Sequence, residues 1–228
     1  MSDCTDAAIQ ATCNDASVCK KYAVDKGYWM DRFISYMVPG RIQRKQPEIS
    51  RGYYARTNSI WLLLKRFLTR CSCTCQIVSL GAGLDTTYWR LGSENMLPIR
   101  YIEVDFLDVV VRKIRCISAK VPLHSCLSDF STQDDESCLH CGSYHLVSAD
   151  MRNLGELEEK LKQSGIDYSV PTLFLTECVL IYMSPEKSNA IIQWVAEKFS
   201  DAAFINYEQI HMNDTFGQVM ISNLKVQQ

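Results

Sequence analysis

Apolar residues along this chain follow two regimes. Over positions 1–70 they recur at helical spacing. Asn14-Asp15-Ala16-Ser17 offers an N-cap for a helix through Cys19, Lys20, Tyr22 and Ala23, with Gly27 placed to stop it. Tyr28 to Val38 predicts a second short helix closed by Pro39-Gly40, and Arg41 to Pro47 an exposed link. From Pro47 a longer helix is expected. Ile49, Tyr53, Ile60, Leu63, Leu64, Phe67 and Leu68 share one face, and Pro47 and Glu48 suit a first turn.

Beyond position 70 short apolar runs alternate with amphipathic segments. Gln76 to Leu80, Arg100 to Asp105, Tyr144 to Asp150, Thr172 to Glu177 and Ala203 to Tyr207 read as five strands. Between them, Phe106 to Ser118, Leu154 to Lys162 and Ser184 to about Phe199 read as helices, and Asn213-Asp214 opens a last one to about Lys225. Residues Pro122 to Gly142 carry turn formers and acids without a clear period, which predicts a long surface loop. Strands alternating with helices imply a parallel, doubly wound α/β sheet with right-handed crossovers. The expected organisation is a helical cap over residues 1–70 on an α/β domain over 71–228, together one structural unit.

Composition narrows the functional classes. With 228 residues, 47% hydrophobic and 22% charged, the chain has material for one well-buried core. A net charge of -2 gives no general attraction for polyanions, so nucleic acid is not an expected partner. The first residues lack the basic and apolar regions of a signal peptide, and no apolar run approaches a bilayer span. A cytoplasmic address is expected, with the nucleus as the second choice. The 11 cysteines, odd in number, predict reduced thiols rather than a disulfide framework. Cys71, Cys73 and Cys75 would share one face of a strand. Cys138-Leu139-His140-Cys141 has metal-ligand spacing, with His145 nearby, but no second such pair exists, so no metal is expected.

The chemistry gathers at the strand ends. Leu80-Gly81-Ala82-Gly83 is a strand running into a two-glycine turn and then a helix, the geometry that brings a backbone close to a nucleotide-like ligand. A dinucleotide fingerprint wants a third small residue where Thr86 stands, and a plain structural turn remains the competing reading of the glycines alone. Asp105, Asp150 and Glu177 close three further strands, so a parallel sheet would collect Gly81, Gly83 and these acids around one crevice. Asp105 follows Gly81 at close to the spacing at which an acid meets ribose hydroxyls. A carboxylate-rich pocket without a phosphate-binding motif favours a cationic nucleoside, for which S-adenosyl-L-methionine is the obvious candidate.

Longer segments carry a resemblance. Asp15-Ala16-Ser17-x-Cys19-Lys20, Glu48-Ile49-x-Arg51-Gly52-Tyr53-Tyr54-Ala55-Arg56, Leu80 to Arg90, Glu103-Val104-Asp105-Phe106, Ala149-Asp150-Met151-Arg152 and Glu177-Cys178-Val179-Leu180-x-Tyr182-Met183 closely resemble the leucine carboxyl methyltransferase family, from about Thr12 to about Leu224. The resemblance implies a Rossmann-like fold and an S-adenosyl-L-methionine-dependent transferase. Its expected reaction esterifies the α-carboxyl of the C-terminal leucine of the protein phosphatase 2A catalytic subunit. It also implies cofactor-binding positions at Lys20, Arg56, Gly81, Asp105, Asp150, Met151 and Glu177, to which the strand-end pattern adds Gly83. Lys20 and Arg56, known as site candidates only through the resemblance, would reach the methionine carboxylate. Arg56 and Tyr182 would hold the reacting ends.

Such a reaction needs no general base, because a carboxylate is already ionised at neutral pH. Family members continue past the point matching Gln228, so the resemblance implies a sheet shortened after its fifth strand. Two other readings stay open: a form that binds cofactor or phosphatase without turnover, and a methyltransferase for a tRNA-base side chain or a small acid. A monomer is expected.

Overall fold

A computed structural model describes residues 6–131, 137–210, 213–215 and 217–218. Three helices come first: α1 (Asp6–Asp25), α2 (Ile34–Met37) and α3 (Pro47–Arg70). The α/β part follows as β1 (Gln76–Leu80), α4 (Thr87–Ser93), β2 (Arg100–Asp105), α5 (Leu107–Ala119), α6 (Val121–His124), β3 (Cys138–Cys141), β4 (Tyr144–Ser148), α7 (Leu154–Gln163), β5 (Thr172–Glu177), α8 (Pro185–Lys198) and β6 (Ala202–Tyr207). A 3-10 helix, Leu180–Tyr182, links β5 to α8.

The six strands form one sheet in the order β3-β4-β2-β1-β5-β6. Pairing is parallel throughout except at β3, which runs antiparallel to β4 with Leu139 opposite Leu146. From β1 the chain builds first towards β4, then returns to add β5 and β6 on the other side. The switch point therefore lies between β1 and β5, where open α/β sheets bind ligands.

Strand periodicity divides the core into two layers. Ile77, Tyr101, Leu146 and Leu173 face one side, packed by Leu64 and Leu68 of α3, Trp89 of α4 and Ile114 of α5. Val78, Leu80, Val104 and Phe174 face the other, against Leu157 and Leu161 of α7 and Ile191 and Trp194 of α8. Both faces are covered, which explains why the central strands read as continuous apolar runs.

Several expectations are corrected. α1 begins eight residues before the Asn14 cap, and its end fits the stop at Gly27, whose φ is +79°. The second helix is reduced to Ile34–Met37, capped by Asp31, whose Oδ1 accepts from the Phe33 and Ile34 amides. The stretch from Pro122 to Gly142 is not a plain loop, because it contains most of α6 and all of β3. The sheet is accordingly mixed and six-stranded rather than parallel and five-stranded. β3 escaped notice because four residues alternating around a cysteine and a histidine give little apolar contrast. Cys71 and Cys73 lie in a turn with Ser72 and Cys73 at positive φ, so the thiols do not share a strand face. Cys138 and Cys141 sit three apart on β3 and point to opposite faces of it, which defeats the apparent chelating spacing. The final helix expected from Asn213 to Lys225 falls mostly outside the described residues.

Candidate active site

A cavity of about 340 Å³ opens where β1, β2, β4, β5 and β6 end, lined also by α1 and α3. Gly81, Gly83, Asp105, Asp150, Met151, Glu177, Lys20, Arg56 and Tyr182 all line it.

The glycine turn forms its floor. Gly81 has φ +67°, and a Cβ there would stand 2.5 Å from Val179 Cγ2. Gly83 has φ +56°, and a Cβ would stand 2.9 Å from Cys13 Sγ. Both positions therefore need glycine twice over, for conformation and for space. The Gly83 amide donates to Asp105 Oδ2 at 2.7 Å and the Phe106 amide to Oδ1 at 2.8 Å. Burial pushes the Asp105 carboxyl above its ordinary value, and these two amides pull it back. Main-chain donors thus fix the carboxylate, while each oxygen keeps a lone pair for a vicinal ribose hydroxyl.

Asp150 is more exposed and is gripped by Arg152, whose Nε donates to both carboxylate oxygens at 2.8 and 3.0 Å. That contact holds the Asp150 carboxyl below the usual range. Arg152 also donates to both oxygens of Asp6 at 2.8 and 2.9 Å, tying the start of α1 to the end of β4. Met151 is buried beside them.

Glu177 closes β5 and collects two cations from the helical layer. Lys20 of α1 approaches it at 2.9–3.0 Å, and Arg56 of α3 donates through Nε to the carboxylate and through Nη2 to the main-chain oxygen at 3.3 Å. Lys20 also lies 3.5 Å from Asp85. Burial opposes both cationic forms, yet Glu177 and Asp85 raise Lys20, and Glu177 and Cys178 raise Arg56, above their ordinary ranges. Lys20 and Arg56 were expected to meet a ligand carboxylate; here they meet Glu177. Two cations sharing one carboxylate leave positive charge in excess within this cluster of three.

Asp85 enters the site with a second task. Its Oδ1 accepts from the Thr87 amide at 2.7 Å, serving the first turn of α4. Burial disfavours its charge, but Lys20 and Lys113 hold the carboxyl down at about 2. Thr86, which breaks the dinucleotide fingerprint, is buried and donates to Asp31 Oδ2 at 2.5 Å. A third glycine is unnecessary because this hydroxyl locks the turn to the cap instead.

Sequence reading overlooked Asp85, Arg152 and Glu208, all of which line the cavity. Glu208 follows β6 directly and so continues the acid-at-strand-end pattern, a signal present but not used. Arg152 was visible only as a motif letter.

Seven carboxylates against four arginine and lysine side chains line the cavity, a balance suited to a cationic ligand. With the glycine cradle and the pinned Asp105, the residues present fit S-adenosyl-L-methionine.

Comparisons with known proteins agree with this geometry. The family model described as leucine carboxyl methyltransferase matches residues 8–196. Leucine carboxyl methyltransferase 1 of Rattus norvegicus is 46% identical over 230 residues, covering 99% of this chain and 69% of that protein. The protein of that name in Caenorhabditis elegans is 40% identical over 228 residues, covering 96% and 68%. The tRNA wybutosine-synthesizing protein 4 of Homo sapiens is 35% identical over 226 residues, but only 33% of its length is matched. The chain belongs to the leucine carboxyl methyltransferase family.

Proposed function

We propose that this chain methylates the α-carboxyl of a protein's C-terminal leucine, and that its acceptor is the tail of the protein phosphatase 2A catalytic subunit. The observation that carries the reading is the Lys20–Glu177–Arg56 cluster, which sets two cations of the helical layer over the switch point of the sheet. It supplies attraction for a carboxylate at the place where the cofactor's reactive end is expected.

S-adenosyl-L-methionine, when bound, supplies an electrophilic sulfonium methyl. In our reading Asp105 takes the ribose hydroxyls, and Gly81 and Gly83 let the backbone approach. Asp150 and Met151 would border the base, and Lys20 and Glu177 would hold the amino-acid end. Arg56 and Tyr182 orient the acceptor carboxylate. That nucleophile is ionised at neutral pH, so no proton need be removed. Catalysis then rests on alignment, which contributes about 7–11 kcal/mol in well-oriented systems. Excluding water helps as well, because a hydrated carboxylate is a weaker nucleophile.

The test mixes the chain, methyl-labelled cofactor and the phosphatase catalytic subunit, and counts base-labile label on the phosphatase. Label that disappears when the terminal leucine is removed supports the reading. Label on tRNA or a small acid instead rejects it, and cofactor binding without any transfer identifies a non-catalytic form.

A further inference from the structure

The cavity contains three buried side-chain polar atoms without a hydrogen-bond partner among the described residues: Trp29 Nε1, Thr57 Oγ1 and Glu208 Oε2. Unpaired buried polar atoms are costly, so three around one cavity mark where a ligand's own polar groups are to fit. Glu208 is the only acceptor-only group of the three.

Its carboxylate is not free to turn. Oε1 accepts from the Val179 amide at 3.0 Å and the Leu180 amide at 2.9 Å, anchoring the 3-10 helix that carries Tyr182. Oε2 is thereby held in one place with nothing to accept from. Its place in the sheet assigns it to one end of the cavity. Asp105 ends β2, Gly81 follows β1, Glu177 ends β5 and Glu208 follows β6, and these strands are adjacent in that order. At about 4.8 Å per strand, Glu208 stands roughly 14 Å along the sheet edge from Asp105. A nucleoside with its ribose on Asp105 and its amino-acid end at Glu177 leaves the β6 end to the acceptor.

A carboxylate at the acceptor end requires a donor from the acceptor. The terminal residue of a peptide has one such group fixed relative to the reacting centre, its own main-chain N–H, two bonds from the carboxyl carbon. We propose that Glu208 determines acceptor specificity, with Oε2 accepting the hydrogen bond from the N–H of the residue whose α-carboxylate is methylated. This rests on the peptide-acceptor reading above. It explains how the site would prefer a peptide end over a simple carboxylic acid, because an acid without that N–H leaves Oε2 buried and unpaired.

Glu208→Gln is the informative variant. Its remaining oxygen can still accept from Val179 and Leu180, while an amide nitrogen, a donor, replaces Oε2. With a peptide ending in leucine, kcat/KM is expected to fall at least tenfold through KM, and cofactor affinity by calorimetry to stay within twofold of wild type. The same peptide N-methylated at its terminal residue should lose a similar factor with the wild type and little more with Glu208→Gln. Equal kcat/KM for wild type and variant overturns the assignment, as does a loss of cofactor affinity, which would place Glu208 at the cofactor instead. A wild type that methylates neither a peptide ending in leucine nor the phosphatase tail overturns the peptide reading, a failure distinct from a variant that keeps pace with an active wild type on the acceptor it uses.

Discussion

The Lys113 ammonium of α5 lies 2.5 Å from the Glu103 carboxylate of β2, and both side chains are fully shielded from solvent. Lys113 also donates to the Asp85 main-chain oxygen at 2.7 Å, so the pair props the turn that follows Gly83 from below. Tyr144 adds a hydroxyl donor to Glu103 at 2.7 Å. Removing one partner strands a buried charge. Lys113→Met is therefore expected to cost about 3–5 kcal/mol in urea denaturation. The double variant Lys113→Met with Glu103→Leu should recover much of that loss. A single-variant cost below about 1 kcal/mol would show the pair to be dispensable.

Stability should depend on pH through two buried groups that act in opposite senses. Burial, only partly offset by Lys113 and Tyr144, pushes the Glu103 carboxyl up from 4.5 to about 7. Between those values the folded chain holds a proton that the unfolded chain releases, so this group makes stability fall as pH rises. Burial next to His140 pushes the His145 ring down from 6.5 to about 4. Here the unfolded chain takes the proton first, so this contribution is full above 6.5 and is lost as pH falls towards 4. Relative to wild type, Glu103→Gln should steepen the rise of stability with pH across this interval, and His145→Asn should reverse it. Stability curves from denaturant titrations at several pH values give the slopes. An unchanged slope in Glu103→Gln rejects the assignment.

Gly81→Ala tests the turn itself. A non-glycine residue in the left-handed region costs about 1–2 kcal/mol, and the added Cβ meets Val179 Cγ2 at 2.5 Å. The variant should lose at least that much stability, while Gly81→Ala with Val179→Ala should regain only the steric part. Full recovery in the double variant would show that the backbone conformation carries no cost.

Asp105→Ala should weaken S-adenosyl-L-methionine at least tenfold in a calorimetric titration, because it removes the proposed ribose acceptor and frees the Gly83 amide. Equal affinity would remove Asp105 from the cofactor site.

Arg152→Ala should act locally. The bridge to Asp6 is about one-third exposed on the arginine and half exposed on the aspartate, so solvent screens it and global stability should change little. The first turns of α1 should nonetheless become more open to limited proteolysis. Cleavage there at the wild-type rate would show that the bridge does not hold the helix end.

How much of this was legible in the chain depends on contrast. The central strands and α3, α5, α7 and α8 were readable because long apolar periods ended at Pro, Gly or an acid. Pro47 at the start of α3 and Ser184 capping α8 show the local chemistry directly, the latter accepting from the Lys187 amide. β3 was lost because it is short and lies at the sheet edge. Lys113 and Glu103 left a trace that could have been used: a lysine on the inward face of α5, beside Val110 and Ile114, and a glutamate inside a buried strand. Each alone looks like an error in the pattern; together they predict a pair. The cluster around Glu177 is different, because its members come from α1, α3 and β5, and only tertiary structure brings them together.

Glu177 also fastens one layer of the molecule to another. Lys20 and Arg56 belong to separate helices, and both end on this one carboxylate beside the ligand cavity. Detaching α1 or α3 from the sheet therefore breaks the same ion cluster that borders the ligand. By mass action, a ligand that binds only the assembled arrangement at one hundred times its Kd raises the free energy of that opening by about 2.7 kcal/mol. Amide hydrogen exchange along these two helices then becomes a measure of occupancy of the cavity that they line.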